Sequence, residues 1–402
     1  MDQDTPSDYS EPPVRGVAQA GVRIANERAV LTLITTNPGA SNADLARLSG
    51  LGPQTTSRIL TDLEARGLIT RGQVLRGRRG QPATPLFLNR RGAFSIGVEL
   101  GWRHLELVLI DLVGTVLTRY REDYDYPVAA HVFPVIAREV KKLVAILPPE
   151  HRSRLLGLGV ASPTTIAASI EGLGGTAEQR HAWLCIDIAK QIQDDTGLST
   201  TWFNDGNAAC WAEIAAHVTP RPANFAYFQI GAFVGAGIVT NEGLWEGPTG
   251  RAANLGALLV TDRCGLPAFL HRIASLRSFE RRLNQAGVAV PAGSPHLWDW
   301  MALEPHAGAW IEDAASALAQ AILSTQAMIE LDEVIVDGVL PRPVLTRLIE
   351  EIHRQTALLP KPSEESPPIG AGALGIDATA LGAAELPLFR HYFSRGWNLF
   401  TA

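Results

Sequence analysis

Residues 41–70 of the chain are SNADLARLSGLGPQTTSRILTDLEARGLIT. Ser41 suits the N-cap position of a short helix, because its side chain can accept a hydrogen bond from the exposed amides of the first turn, and Asp44 follows three residues later. Glycines then interrupt the helical pattern, and Pro53 suits the first turn of a second helix, where its missing N–H costs nothing. The stretch therefore predicts two short helices joined by a tight turn.

The second helix has an apolar side and a polar side. Ile59, Leu60 and Leu63 fall on the side that we expect to be buried. The exposed side near its N-terminus carries Gln54, Thr55, Ser57 and Arg58. In a recognition helix, small polar and basic side chains at these positions contact base edges and phosphates. The pattern therefore predicts a helix-turn-helix that binds double-stranded DNA.

Elements on either side extend this motif. A helix is predicted over 21–38, with Ile24 among its core residues, and two strands over 68–70 and 85–88 enclose a loop rich in arginine and glycine. These elements predict a winged helix-turn-helix over residues 20–90, whose hairpin tip can lie along the DNA backbone or enter the minor groove. The residues expected to make these contacts are Arg71, Arg76, Arg78, Arg79 and Gln81.

The net charge is distributed unevenly along the chain. The formal charge is −6, yet residues 1–12 hold four acids and no base, and residues 13–91 carry +8, with twelve arginines against four acids. Residues 92–402 therefore carry −10. A basic module on an acidic body indicates a polyanionic partner, with chance clustering of charges as the alternative. The acidic, proline-bearing residues 1–19 are predicted to form a disordered tail.

The composition is that of a soluble globular protein. The chain has 402 residues, of which 46% are hydrophobic and 19% charged, so we expect two or three domains. Its three cysteines have no spacing typical of disulfides or metal sites, and its ten histidines show no ligand spacing. The N-terminus does not resemble a signal peptide, and glycines within the uncharged residues 222–241 favour two buried strands over a membrane span. We therefore expect a cytoplasmic protein that does not associate with membranes.

From residue 93 onward the hydrophobic pattern changes to that of an α/β fold. Strands are predicted over residues 95–100, 105–111, 115–120, 156–161, 200–203, 225–230, 235–240 and 333–337. Helices are predicted over residues 133–147, 186–196, 206–216, 308–329, 344–353 and 378–388. Groups of strands followed by helices, twice over, predict two α/β subdomains with a cleft between them.

Several short motifs are weak individually but form a fairly specific set in their order and spacing. They are Arg66-Gly67-Leu68-Ile69, Arg79-Gly80-Gln81-Pro82, Asn204-Asp205-Gly206-Asn207-Ala208-Ala209, Gly247-Pro248-Thr249-Gly250, Leu255-Gly256 and Ala380-Leu381-Gly382-Ala383-Ala384. Over about residues 20–390 this set resembles the ROK family (repressor, open reading frame, kinase). The resemblance implies a winged helix-turn-helix followed by an α/β body of actin-like, ribonuclease-H-like ATPase fold. Subdomain I would comprise 92–203 plus 376–396, and subdomain II would comprise 204–375.

The kinases of this family bind ATP through two phosphate loops, and both loops differ here. The first, Asp-x-Gly-Gly-Thr in the family, is Glu-Leu-Gly-Trp-Arg at residues 99–103, so that Trp102 occupies the phosphate space. The second has Phe233 in place of a glycine and lacks the family's threonine, and a Gly-Gly pair near the adenosine contact is Asp337-Gly338. Phosphoryl transfer depends on such loops for positioning and charge neutralisation. We therefore expect no bound cofactor and no kinase activity.

The sugar and zinc sites implied by the resemblance are altered as well. Asp205 matches the family's catalytic base, although its carboxylate could equally cap the helix predicted from residue 206, and both interpretations stay open. Asn254 replaces a sugar-binding glutamate, and Ala257 replaces a histidine that binds zinc and sugar. Cys264 is the one remaining thiol of a zinc knuckle, so we expect a small buried residue there and no metal.

The resemblance implies a sugar or sugar derivative as effector in the cleft. The residues expected to bind it are Asn204, Asp205, Asn254 and Trp183. For Trp183, predicted in a loop, packing is the alternative. The sequence thus predicts a homodimeric or tetrameric repressor of carbohydrate-related genes that is not an enzyme. The alternatives are an active sugar kinase and a DNA-binding regulator with no small-molecule effector.

Overall fold

The computed structural model describes residues 19–73, 84–217, 221–360 and 366–394. The predicted tail therefore lies almost wholly outside the described residues. The same holds for four of the predicted wing contacts, which are Arg76, Arg78, Arg79 and Gln81.

The N-terminal module is a winged helix-turn-helix, as predicted. Its elements are α1 (Gln19–Thr36), α2 (Asn42–Ser49), α3 (Pro53–Ala65), β1 (Ile69–Arg71) and β2 (Leu86–Leu88), with the two strands antiparallel. Ser41 caps α2 reciprocally, since its Oγ accepts from the Asp44 N–H at 3.2 Å and its own N–H donates to the Asp44 carboxylate at 3.1 Å. Leu45 and Leu63 are fully buried between the helices, whereas Ile24, predicted in the core, is exposed.

The first sheet of the body has five strands. They are β3 (Phe94–Leu100), β4 (His104–Asp111), β5 (Val116–Asp123), β6 (Leu155–Ser162) and β7 (Thr200–Asn204), in the order β5-β4-β3-β6-β7. The remaining strands are β8 (Phe225–Ile230), β9 (Val234–Thr240), β10 (Gly243–Leu244), β11 (Leu259–Thr261), β12 (Pro267–Phe269), β13 (Glu333–Gly338) and β14 (Ile369–Ala371). Five of these form a second sheet in the order β10-β9-β8-β13-β14, and β11 and β12 form a separate hairpin.

Helices cover and connect the two sheets. They are α4 (Ala129–Ile146), α5 (Ala177–Leu184), α6 (Ile188–Thr196), α7 (Asp205–Ala216), α8 (Leu270–Ala274), α9 (Leu276–Gln285), α10 (His306–Gln326), α11 (Arg342–Leu358) and α12 (Ala378–Tyr392). The predicted strands and helices are present, most with bounds shifted by a few residues, but α5, α8, α9, the β11–β12 hairpin and the short strands β10 and β14 were not predicted. Among the described residues, no helix has the length and apolar composition needed to cross a bilayer.

Helices α7 and α12 lie between the sheets and approach their neighbours very closely. A Cβ placed on Gly159 of β6 would lie 1.9 Å from the Ala383 carbonyl oxygen of α12, and one on Gly382 of α12 would lie 1.8 Å from the Ala208 carbonyl oxygen of α7. A Cβ on Gly206 of α7 would likewise lie 2.3 Å from the Ala236 backbone of β9. Glycines therefore bring the first sheet, α12, α7 and the second sheet into direct backbone contact.

The winged helix-turn-helix shares its hydrophobic core with the body. One continuous buried cluster includes Ile34 of α1, Trp211 of α7 and Phe389 of α12. At the C-terminal end of the described chain, the Ser394 N–H donates to Thr32 Oγ1 of α1 at 3.0 Å. The winged helix-turn-helix is thus packed against the body rather than joined to it by a free linker.

Candidate functional site

The exposed face of α3 is the candidate DNA interface. Gln54, Ser57 and Arg58 are exposed there and Thr55 is half-buried, while Ile59 and Leu60 on the opposite side are buried, as predicted. Spacings of three and four residues place Gln54, Ser57 and Arg58 on one side of the helix. Among the residues that the structure describes, no carboxylate pairs with Arg58, so its guanidinium is free to contact a phosphate or a base edge.

Other arginines of the module pair with carboxylates. Arg71 Nε lies 2.8 Å from Glu64 Oε2, Arg66 Nη1 lies 2.8 Å from Glu27 Oε2, and Arg23 bridges α1 to α3. A phosphate contact by Arg71 would have to replace its ion pair with Glu64. The net charge of the module therefore overstates the number of arginines that are available to DNA. Arg58 is the single arginine of α3 and has no carboxylate partner among the described residues.

A cavity of about 830 Å³ lies between the two sheets of the body. Asn204, Asp205 and Asn254 all line it, although Asn254 is 49 residues from Asp205 in the sequence. Trp183 is not among its lining residues and lies in α5 rather than in a loop. Its indole N–H donates to the Pro127 carbonyl at 3.0 Å and its ring is buried, so packing accounts for it. The prediction that Trp183 contacts an effector in this cavity is therefore wrong.

Asp205 lies at the start of α7, where the chain leaves β7. The helix cap is Asn204, whose Oδ1 accepts from the Asn207 N–H at 3.2 Å, so the open alternative that Asp205 is the cap is wrong. Asp205 Oδ1 accepts from the Gly206 N–H at 2.8 Å and from Asn204 Nδ2 at 3.0 Å. Burial, with a smaller contribution from the charge of Glu99, raises the pKa of Asp205 to about 6, although these hydrogen bonds lower it. Asp205 is thus poised to hold or release a proton near neutral pH.

Two aromatic rings occupy the region of the phosphate loops. Trp102 follows β3 and Phe233 precedes β9, and their ring centroids are 4.7 Å apart across the cleft. An aromatic pair at this distance is in direct contact, which leaves no room between the rings for a phosphate group. The two loops are far apart in sequence, but the side chains by which they differ from the family motifs, Trp102 and Phe233, pack against each other.

Helices α8 and α9 contribute a wall of the cavity that was not predicted from the sequence. His271 of α8 lines the cavity, and Glu280 of α9 lies 3.1 Å from Arg103, so an ion pair joins the two sides of the cleft. In α9, Leu276, Phe279 and Leu283 are buried and follow the i, i+3, i+7 spacing of an amphipathic helix, so this pattern could have predicted the helix. Helix α8 has only five residues, too few to show such a pattern. Cys264, expected to be buried, is exposed in the turn between β11 and β12, where its N–H donates to Asp262 Oδ1.

A second cavity, of about 370 Å³, lies where the DNA-binding module meets the body. Its walls are mostly apolar and include Ile34, Phe87, Trp211 and Phe389, with Glu385 of α12 among them. Glu385 Oε2 makes no hydrogen bond with any described residue. Burial raises the pKa of Glu385 to about 8, even though the charge of Arg221 lowers it.

The folded state therefore keeps the Glu385 proton at pH values where the unfolded chain has lost it, and stability should fall as pH rises from about 5 to about 8. Replacing Glu385 by Gln should reduce this loss, by about 1 kcal/mol or more between those pH values. Urea unfolding at pH 5, 6.5 and 8 measures it. Glu171→Gln, at an exposed glutamate, is the control and should leave the pH dependence unchanged; an unchanged dependence in Glu385→Gln would contradict the burial argument.

Comparisons with known proteins place both parts of the chain. A model of the ROK family matches residues 95–388, and a winged helix-turn-helix DNA-binding model matches residues 25–70. An uncharacterised protein, y4fQ, of Sinorhizobium fredii is 27% identical over 92% of both chains. The xylose repressor of Bacillus subtilis is 25% identical over 60% of this chain and 62% of the repressor, so this alignment spans about three fifths of either protein.

Among solved structures, a ROK family transcriptional regulator, described as a homologue of the Escherichia coli MLC protein, has a similar fold. It has a TM-score of 0.67 and 20% identity, and the match covers 92% of this chain and 98% of that one. Sugar kinases of the same family also match. The predicted actin-like body and winged helix-turn-helix are confirmed, and the chain belongs to the ROK family and carries a DNA-binding module at its N-terminal end.

Proposed function

We propose that this protein is a DNA-binding transcriptional repressor of carbohydrate-related genes whose ROK body does not transfer phosphate. The observation that carries the proposal is the exposed polar face of α3, with Arg58 unpaired among the described residues, on a winged helix-turn-helix fused to the ROK fold. The similarity to xylose repressors supports both the regulatory role and the link to sugars. Such a protein acts where the chromosome is, in the cytoplasm.

The aromatic contact at the phosphate loops favours a regulator over an active kinase. Trp102 and Phe233 fill the space that a nucleotide's phosphates would need. Asp205 remains as a matching base, but a base alone does not position or neutralise a transferring phosphoryl group. We therefore assign the cleft to ligand binding rather than to catalysis.

The proposed effector is a sugar or sugar derivative bound at Asn204, Asp205 and Asn254. The cavity of about 830 Å³ is large enough for a monosaccharide or disaccharide, and amide and carboxyl groups are suitable partners for hydroxyls. Helix α7 begins at Asp205 and carries Trp211, whose ring lies 4.2 Å from that of Phe389 beneath the DNA-binding module. A ligand that binds differently to two arrangements of α7 would shift the orientation of that module.

In this mechanism a homodimer, or a tetramer, places two recognition helices in successive major grooves of a double-stranded operator. Selection of genomic fragments by the full chain, followed by footprinting, tests the proposal. Enrichment of sites next to carbohydrate genes is the expected result. Fragments bound without sequence preference would contradict a repressor role.

The full chain should release no ADP above background when it is supplied with ATP, Mg²⁺ and a panel of sugars, because the phosphate loops are blocked. A coupled ADP assay measures this, with a family sugar kinase as the positive control. Turnover that disappears in Asp205→Asn would establish the rival assignment of an active kinase.

Thermal-shift screening with the same sugars distinguishes a sugar-controlled repressor from one with no effector. A specific ligand at 100-fold its Kd should stabilise the protein by about 2.7 kcal/mol. The shift should vanish in Asn254→Ala, which lies on the cavity wall. An absence of hits across the panel would favour a regulator whose body serves only assembly.

A further inference from the structure

Three polar side chains converge at the hairpin formed by β3 and β4. Glu99 of β3 is paired directly with Glu106 of β4 in the sheet register, and His104 precedes Glu106 by two residues. Alternation along a strand places residues two apart on the same face, so all three side chains project to one side of the sheet. Their exposed fractions are only 7%, 1% and 9% for Glu99, Glu106 and His104, respectively.

Each of the three residues has a buried atom without a hydrogen bond. Glu99 Oε2, His104 Nε2 and Glu106 Oε1 make no such bond with any residue that the structure describes. One potential ligand atom from each residue lies within 4.8 Å of the others, and His104 Nε2 is 3.2 Å from Glu99 Oε1. Buried polar atoms are normally satisfied, and carboxylates directly opposite each other on paired strands repel. This cluster therefore needs a cation that the chain itself does not fully supply.

Two arginines of β5 offset part of the negative charge. Arg121 Nη1 donates to Glu106 Oε2 at 2.9 Å, and Arg119 Nη1 lies 3.5 Å from Glu106 Oε1. Both are shared, because Arg119 also binds Asp377 at 2.7 Å and Arg121 also binds Asp123 at 3.2 Å. Four carboxylates thus face two guanidinium groups, which leaves a formal charge of −2 when His104 is neutral.

We propose that Glu99, His104 and Glu106 bind a divalent transition-metal ion, with Zn²⁺ as the best fit, in the wall of the cleft. One imidazole and two carboxylates form a ligand set that Zn²⁺ accepts, and a 2+ ion balances the residual charge. Ligands at about 2.1 Å from a tetrahedral ion are about 3.4 Å apart, so only small side-chain movements separate the present arrangement from a bound one. Arg121 then holds the oxygen of Glu106 that faces away from the ion.

The proposed metal site lies in the cavity wall, so one coordination position of a bound ion would face the cavity. Glu99 and His104 line the cavity of about 830 Å³, whereas Glu106 is not among its lining residues. Three protein ligands leave a fourth position for water or for a hydroxyl group of a molecule in the cleft. The site is distinct from the exposed Cys264. The proposed metal site depends on the geometry of the β3–β4 hairpin and not on whether the protein binds DNA.

The test uses the full chain, stripped with a chelator and titrated with ZnCl2 by calorimetry, with metal content measured by mass spectrometry after desalting. One zinc per chain is expected. Affinity should fall at least about tenfold in His104→Gln and in Glu99→Gln, because each removes one of three ligands. MgCl2 should bind far more weakly, since Mg²⁺ prefers an all-oxygen octahedral set.

Two matched variants serve as controls. His271→Gln removes another histidine of the same cavity, and Cys264→Ser removes the exposed thiol; both should keep the full stoichiometry. Binding that survives His104→Gln but disappears in Cys264→Ser would place the metal elsewhere and overturn the proposal. No uptake of zinc at up to about tenfold excess would also overturn it.

Folding of the variants is checked by circular dichroism and thermal melting. Should Glu99→Gln fail to fold, the absorption spectrum of the Co²⁺-substituted wild type and of His104→Gln decides the matter. A Co²⁺ spectrum of tetrahedral or five-coordinate type in the wild type, lost in His104→Gln, supports the site. Identical spectra for the two proteins would exclude His104 as a ligand.

Discussion

Replacing Arg58 by alanine should weaken binding to the protein's operator by about 1–3 kcal/mol, a loss of roughly 5- to 150-fold, if its guanidinium contacts a base edge. Arg58 is exposed on α3, and no described carboxylate competes for it, so the whole of its binding capacity is available to DNA. Fluorescence anisotropy with a footprinted operator fragment measures the change. A smaller, sequence-independent loss would indicate a phosphate contact instead.

Two comparisons sharpen this experiment. Arg281→Ala removes another exposed arginine, in α9 of the body, and should leave the affinity unchanged. The salt dependence separates the two kinds of contact, because losing one phosphate contact lowers the slope of log K against log salt by about 1. An unchanged affinity and footprint for Arg58→Ala would remove this residue from the DNA interface.

Replacing Gly382 by alanine should destabilise the fold by about 1–3 kcal/mol or more, although the same change inside most helices stabilises by about 0.5–1 kcal/mol. The reason is steric. The new Cβ would lie 1.8 Å from the Ala208 carbonyl oxygen, and that oxygen belongs to the backbone of α7, which cannot turn aside as a side chain can. Urea denaturation monitored by tryptophan fluorescence measures the difference in unfolding free energy.

Gly172→Ala is the matched control for this prediction. Gly172 has an ordinary negative φ, and a Cβ placed on it meets nothing within 4 Å. Its replacement should change stability by no more than about 0.5 kcal/mol, the usual range for exposed positions. A Gly382→Ala variant as stable as Gly172→Ala would show that α7 and α12 are farther apart in solution than the structure places them.

The DNA-binding module could be predicted from the sequence because its signals are local. The capping pair Ser41 and Asp44, the proline at the start of α3 and the apolar side of that helix all lie within 30 residues. The resemblance to the ROK family predicted the fold of the body and the position of Asn204 and Asp205 in the cleft. Asn254 came from the same source and also lines the cavity.

What the sequence did not show depends on contacts between distant segments. Glu99, His104 and Glu106 have no recognisable ligand spacing, and only the register of β3 against β4 brings them together. Glu280 meets Arg103 across 177 residues, and the pairing of Arg71 with Glu64 depends on where the chain turns after α3. The role of Trp183 was predicted wrongly because the sequence does not distinguish a tryptophan that packs in the core from one that binds a ligand.

The shared hydrophobic core between module and body affects how such proteins can be recombined. A chimera that transfers only residues 19–90 onto another regulator of the family would leave Ile34 without Trp211 and Phe389, and Thr32 without the Ser394 N–H that it accepts. The specificity of such a hybrid could be new, but its helices would expose apolar surface that evolved against a different neighbour. Grafting α12 together with the winged helix-turn-helix, or transferring only the exposed side chains of α3, keeps the matched surfaces together.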